Sequence, residues 1–273
     1  MMMKNKKKYE EEMRRFETYN NIRVKSNCYF IVRLDGKRFS KLTTEMGLKK
    51  PFDYDFKIAI VKAIKKLMLE SGSILGYTQS DEINILFDKT SCFFNRRIEK
   101  INSVLSSMMT AFCMEQEFFK NYNPLFDCRI LVAKTKREVF NIFTWRQNDC
   151  FRNCLNSYAY WHLRFSGKTK KEAENILKNR KIDSKQKMLV EEFNLDFGDI
   201  KDWEKYGIYI LWEKYKKKGF NPLEKKEVLV DRRRFKEVSR EFENVNEFFK
   251  SLNTAREFLT NLKINKRKRF KNE

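Results

Sequence analysis

The sequence predicts an α+β fold built on a ferredoxin-like βαββαβ core. Three observations lead there. Between residues 28 and 133, apolar runs of strand length and segments of helical periodicity follow in the order strand, helix, strand, strand, helix, strand. Turn-forming residues punctuate that order at Asp35-Gly36, Gly72, Gln79-Ser80-Asp81 and Pro124. The 273-residue chain is 41% apolar and holds 25 Phe, which is ample material for a packed core and excludes a wholly disordered chain.

Each element has a local reason. Residues 4–20 are charged, with Tyr9, Met13 and Phe16 interspersed, and read as a polar helix with a narrow apolar stripe. Cys28-Tyr29-Phe30-Ile31-Val32-Arg33-Leu34 is a strand that Asp35-Gly36 stops. Pro51 and Asp53 open a helix whose buried face carries Ile60, Val61, Ile64, Leu67 and Met68, and Gly72 closes it. Residues 74–78 make a short second strand, and Ile83, Ile85 and Phe87 alternate along a third. Ile98, Ile101, Leu105, Met108 and Phe112 mark a long helix over about residues 95–119, and residues 127–133 form a fourth strand. Two right-handed crossovers on one antiparallel sheet give the strand order 4-1-3-2.

Beyond residue 134 the pattern is mostly helical, over 137–165 and 169–179. Strand-like runs follow at 209–212 and 227–230, separated by a turn at Gly219, Asn221 and Pro222. The expected organisation is therefore a core with its N-terminal helix over 1–135, a mostly helical part over 136–235, and a basic C-terminal helix and tail over 236–273.

The formal charge is +22, from 59 Lys and Arg against 37 Asp and Glu. Such a balance favours a polyanionic partner, because each neutralised phosphate releases a condensed counterion. No signal peptide and no run of about 18 apolar residues is present, so a cytoplasmic setting with reduced thiols and no membrane is expected. Cys150, Cys154 and His162 lack a fourth ligand and read as helix-packed side chains. His162 is the only histidine, which excludes a mechanism built on a catalytic His pair.

The strand order has a chemical consequence. Strand 3 runs antiparallel beside strand 1, so its start lies next to the end of strand 1. Asp35 and Asp81, forty-six residues apart, are thereby brought to one sheet edge. Paired carboxylates there suit hard divalent cations, and Gly36 lets its backbone approach a metal or a phosphate closely. Two such ions can stabilise the attacking and leaving oxygens of a phosphoryl transfer. Lys37, Arg38, Lys50, Arg96, Arg97 and Lys100 are candidate phosphate ligands. Arg146, Asp149, Arg152, Asn153 and Asn156 recur three or four apart and form one polar helical stripe, either a nucleotide or RNA contact or an internal salt-bridged seam. Trp145 reads as core.

Arg33-Leu34-Asp35-Gly36, Lys50-Pro51-Phe52-Asp53, Tyr77-Thr78-Gln79-Ser80-Asp81-Glu82 and Trp145-Arg146-Gln147-Asn148-Asp149, in that order and spacing, resemble the 3′–5′ polymerases that comprise tRNA-His guanylyltransferase and its guanylyltransferase-like relatives. The resemblance covers residues 10–235 and implies a polymerase-like palm. It implies two Mg²⁺ ions held by Asp35, the Gly36 carbonyl and Asp81. It further implies nucleotide contacts from Asp35, Gly36, Lys37, Arg38, Phe39 and Ser40, from Ser80 and Asp81, and from Lys50 and Arg97. Arg146, Arg152, Asn153 and Asn156 would meet RNA or a second nucleotide.

The implied activity is addition of nucleotides to the 5′ end of tRNA, with ATP or GTP activating that end, by a homodimer or homotetramer. Where the eukaryotic guanylyltransferases carry a His-Ile-Asn-Asn-Leu-Tyr-Asn-Thr run, this chain reads Phe151-Arg152-Asn153-Cys154-Leu155-Asn156-Ser157-Tyr158. That is similar to the guanylyltransferase-like branch, which repairs truncated 5′ ends against a template. Two rival readings are a nucleotide cyclase on a related palm and a non-catalytic basic RNA-binding protein.

Overall fold

The computed structural model describes residues 2–221 and 226–257, with side chains from residue 8 onward and none at 221. The basic tail expected at 263–271 lies outside the described residues. The chain runs α1 (Met2–Arg14), β1 (Tyr29–Gly36), α2 (Phe39–Glu45), α3 (Tyr54–Ser71), β2 (Leu75–Gln79), β3 (Glu82–Phe87), α4 (Ile98–Met114) and β4 (Phe126–Ala133). It continues with α5 (Lys136–Phe165), α6 (Lys170–Leu177), α7 (Ile182–Phe193), α8 (Asp202–Tyr206), β5 (Ile208–Asn221), β6 (Lys226–Val238) and α9 (Val245–Ser251).

The sheet has the order β4-β1-β3-β2-β5-β6. The expected 4-1-3-2 core is its first four strands, and the strand-like runs after residue 205 extend it by two. Both are longer than the sequence pattern indicates, because Lys- and Arg-rich stretches hide strand periodicity. β6 runs unbroken past residue 235 to Val238.

Alternation along the strands gives the sheet two apolar faces. Phe30, Val32, Leu34, Ile83 and Ile85 pack against α3 and α4, through Ile60, Ile64, Leu67, Leu105 and Met109. Tyr29, Ile31, Leu75, Tyr77 and Leu86 face Val139 and Phe143 of α5 and Phe248 and Phe249 beyond them. Asp53 caps α3 by accepting from the Asp55 and Phe56 backbone N–H groups, both at 2.9 Å. A capping box between Thr135 and Glu138 starts α5.

At 30 residues α5 is about 45 Å long, roughly twice the height of the sheet it crosses. Its first half covers the sheet. Its second half overhangs the edge that carries Asp35 and forms a separate cluster with α6 and α7, through Cys154, Leu155, Leu163, Ala173 and Leu189. Cys150 and Cys154 are buried free thiols, and His162 Nδ1 lies 2.9 Å from the Tyr158 carbonyl oxygen, as helix-packed side chains do.

One expected element moves. The second long helix begins at Ile98, because Phe94, Asn95 and Arg96 hold positive φ values of 46°, 52° and 62°. Arg96 therefore precedes the helix and Arg97 is its N-cap.

Candidate active site

The ladder between β1 and β3 runs from Phe30–Phe87 to Leu34–Ile83, so its continuation sets Asp35 against Glu82 and Gly36 against Asp81. β2 and β3 are joined by Ser80 and Asp81 alone, with Gln79 paired to Glu82. Ser80 takes a φ of 52° to close this turn, a conformation that costs a non-glycine residue energy and recurs where function fixes the backbone.

The contact is close. A Cβ built on Gly36 would lie 2.5 Å from Asp81 Oδ2 and 2.3 Å from Phe39 Cδ2. No other residue fits there, which accounts for the glycine after Asp35. Asp81 is half-buried, and loss of water around its carboxyl, with the charge of Asp35 adding to it, pushes its pKa up to about 6. Two carboxylates with no arginine or lysine paired to them among the described residues are what a cation site requires. Asp127 stands opposite Asp35 on the other side of β1, but Arg129 neutralises it at 3.0 Å. Among the described residues no group of three or more His, Cys, Asp or Glu side chains could hold a metal ion. The two carboxylates and the Gly36 carbonyl are hard oxygens, the donor type that Mg²⁺ takes.

Glu82, next to Asp81, is held very differently. Arg146 reaches it from α5 with Nε and Nη2, each at 2.7 Å, and Arg33 reaches it from β1 at 2.7 Å. Asn84 donates to the same carboxylate at 2.9 Å. Arg146 is 4% exposed and also bonds Asp149 at 2.7 Å. Burial alone would lower the Arg146 pKa, but the bonds to Glu82 and Asp149 outweigh it and raise the value. In Asp149 the two arginines at 146 and 152 likewise overcome desolvation and lower its pKa. Arg146 and Asp149 are therefore the internal seam of the stripe. Arg152, Asn153 and Asn156 remain exposed on the overhanging part of α5, Arg152 paired to Asp149 and Asn156 to Lys185. Trp145 is 49% exposed and not core, with the Arg146 and Arg33 guanidinium carbons 4.5 Å and 5.9 Å from its ring centre.

Of the expected nucleotide ligands, Lys37, Arg38 and Ser40 are exposed beside Asp35, and Arg38 takes a φ of 59°. Phe39 is 3% exposed and packs against Phe56 and Phe126, so its side chain belongs to the core. Lys50 donates to Thr43 Oγ1 at 3.2 Å, and burial lowers its pKa against the opposing charge of Asp53. It lines a cleft beside the carboxylate edge, together with Thr43, Phe52, Thr78, Ser80 and Trp203. Trp203 comes from α8 and carries no sequence signal, because a five-residue helix has no periodicity to read.

Arg97 is not brought to this edge. β3 runs away from Asp81, so the segment after it emerges at the far end of the sheet, about 20 Å below. There Arg97 bonds Asn20 at 2.9 Å. Arg96 is buried and donates to the carbonyls of Val24, Lys25, Cys28, Lys89 and Ser91 at 2.8–3.3 Å. Lys100 follows at the same end.

Comparison with known proteins agrees with this fold. A family model described as tRNAHis guanylyltransferase matches residues 10–134, and one described as Thg1 C terminal domain matches residues 137–253. The tRNA(His) guanylyltransferase of Debaryomyces hansenii is 30% identical over 243 residues, covering 85% of this chain and 91% of that protein. The probable tRNA(His) guanylyltransferase of Mus musculus is 28% identical over 212 residues, covering 73% and 71%. Among solved structures, the Saccharomyces cerevisiae tRNA(His) guanylyltransferase superposes with a TM-score of 0.67 at 25% identity, covering 80% of this chain and 94% of that one. A bacterial Thg1-like protein in complex with GTP superposes with a TM-score of 0.66 at 27% identity, covering 91% and 99%. The same kind of protein in complex with ATP gives 0.66 at 31%, covering 74% and 88%. No described helix is long and apolar enough to cross a membrane. The chain belongs to the tRNA(His) guanylyltransferase family of nucleotidyltransferases.

Proposed function

We infer that this chain is a metal-dependent 3′–5′ nucleotidyltransferase that extends the 5′ end of tRNA by template-directed repair. The observation that carries the chemistry is the convergence of Asp35 and Asp81 across Gly36, beside a cleft that Lys50, Thr78 and Ser80 line. Asp35, the Gly36 carbonyl and Asp81 would hold two divalent cations. Bound there, such ions lower the cost of ionising a 3′-hydroxyl and of releasing a phosphate-bearing leaving group.

The chain's own side chains do the rest. Lys37, Arg38 and Lys50 receive the triphosphate of an ATP or GTP substrate, and Ser80 holds the turn in which Asp81 is presented. Glu82, clamped by Arg33 and Arg146, fixes the start of β3 so that Asp81 is positioned before substrate arrives. The overhang of α5 offers Arg152, Asn153 and Asn156 to the RNA or a second nucleotide. Arg152 suits a phosphate better than a base edge. A protein pocket that selects G needs fixed donors and acceptors on that edge, and Arg152, Asn153 and Asn156 are exposed rather than enclosed around a base, which supports choice by pairing.

The test supplies 5′-truncated tRNAs whose facing template base is varied through all four identities. Incorporation is expected to follow the complement each time. Addition of G whatever the template, and only to tRNA(His), would instead establish strict guanylylation.

A further inference from the structure

The cleft beside the carboxylate edge takes its walls from distant parts of the chain. Lys50, Thr78 and Ser80 form one, and Trp203 and Glu204 of α8 form the other. Thr78 is fixed by β2, which lies between β3 and β5 inside the sheet. α8 has five residues and no side-chain hydrogen bond at its N-cap, Lys201. A helix that short does not persist in water by itself. What holds α8 therefore decides the shape of the cleft.

The hold is concentrated at the C-terminal end of α8. The Tyr206 carbonyl accepts two hydrogen bonds, from Gln147 Nε2 and from the Tyr77 hydroxyl, both at 3.0 Å. Gln147 Nε2 gives its second hydrogen to the Arg240 carbonyl at 2.9 Å, just past β6. Gln147 is 4% exposed and Tyr77 fully buried, so water does not compete for these bonds. Gly207 follows with a φ of 70°, and a Cβ there would lie 2.6 Å from the Tyr77 hydroxyl oxygen and 2.7 Å from the Thr78 carbonyl oxygen. The chain thus turns from α8 into β5 directly against β2. Nearly one turn along α5 from Gln147, the Cys150 thiol lies 3.7 Å from the Glu204 carbonyl oxygen. Further on, the Tyr158 hydroxyl donates to the Glu204 carboxylate.

Arg146 and Gln147 are neighbours on α5 but point about 100° apart around it, and they reach different parts of the site. Arg146 clamps Glu82 beside Asp81, whereas Gln147 clamps the end of α8. We propose that Gln147 is a positioning residue for nucleotide binding: through the Tyr206 carbonyl it fixes α8, and with it the wall that Trp203 and Glu204 give the cleft. This rests on the reading of that cleft as the seat of the ATP or GTP substrate. Gln147 bonds only backbone carbonyls, and those bonds are the same before and during transfer. Its loss should therefore weaken ground state and transition state alike.

The test measures ATP binding directly, by titration in Mg²⁺ without RNA, for the unaltered chain and for Gln147→Met. KM and kcat for ATP in transfer to tRNA are then measured on both. Methionine keeps the length of the side chain but donates to neither carbonyl. Kd and KM for ATP are expected to rise together by about tenfold, while kcat at saturating ATP and the Mg²⁺ concentration for half-maximal rate stay within about twofold. A Kd within about twofold of the unaltered chain, whatever the loss of thermal stability, would make Gln147 a prop of the fold alone and overturn the proposal. So would a kcat loss as large as the rise in KM, which would tie Gln147 to the carboxylate edge as Arg146 is. Should Gln147→Met not fold, Tyr77→Phe decides the matter. It keeps the ring, removes the other bond to the Tyr206 carbonyl and should raise the Kd about threefold, and an unchanged Kd would overturn the proposal. An unaltered chain that binds ATP but extends no tRNA would count against the enzymatic reading and leave the binding result standing.

Discussion

The two ends of the central sheet carry opposite solutions to the same problem of charge near a core. At the far end Arg96 is buried, and its guanidinium donates to five backbone carbonyls. At the near end Asp81 faces Asp35 with no cationic side chain paired to either among the described residues, and its pKa is pushed up to about 6. The first arrangement is complete without a ligand. The second is not. Charged groups whose partners all lie inside the chain hold the fold, and those left facing one another mark where something else must bind. Glu82 stands between the two cases, fully engaged by Arg33 and Arg146 yet adjacent to Asp81.

Substitutions should separate these classes. The largest effect is expected at Asp35→Ala and Asp81→Ala, each lowering nucleotide transfer by about 10³-fold or more, equivalent to about 4 kcal/mol, with the fold intact by circular dichroism. A loss under about tenfold would remove these carboxylates from the chemistry. Arg146→Met comes next. It leaves Glu82 short of its bidentate partner inside the protein, and should cost about 3–5 kcal/mol in denaturant unfolding and reduce transfer as Asp81 loses its support.

Arg96→Met orphans several buried carbonyls and should cost about 3 kcal/mol, while activity per folded molecule stays within about twofold. Retained stability would mean those carbonyls find water instead. The smallest effect belongs to Arg97→Ala, for which KM for the nucleotide should change by less than about twofold, since Arg97 bonds Asn20 about 20 Å from the edge. A tenfold rise in KM would return Arg97 to the nucleotide site.

Much of this was legible in the residues. The βαββαβ order was readable because periods of two and 3.6 are local properties of the chain. The meeting of Asp35 and Asp81 follows from the sequence because the topology admits few alternatives. Arg97 sits away from the expected edge because β3 carries the chain to the other end of the sheet before the helix it caps begins. Chain direction alone contained that answer. Composition favours Trp145 as core, yet it is half-exposed and its ring meets two guanidinium groups that come from β1 and from its own helix. Nothing local announces such a partner. The Glu82–Arg33–Arg146 clamp was hidden for the same reason, since its members lie on three separate elements. The length of β5 and β6 was masked by Lys and Arg runs that hydropathy counts as loop.

The central claim is that Asp35 and Asp81 form an incomplete pair that Mg²⁺ completes. Thermal unfolding of the unaltered chain, Asp35→Asn and Asp81→Asn tests it most directly, each with chelator and with Mg²⁺ plus nucleoside triphosphate. In chelator, each Asn variant should be at least as stable as the unaltered chain, because the substitution removes repulsion between two carboxylates. With Mg²⁺ and nucleotide the order should reverse, since only the unaltered chain gains stability from a ligand bound to its folded state. Variants that are less stable in chelator, or that Mg²⁺ and nucleotide stabilise as strongly as the unaltered chain, would contradict it.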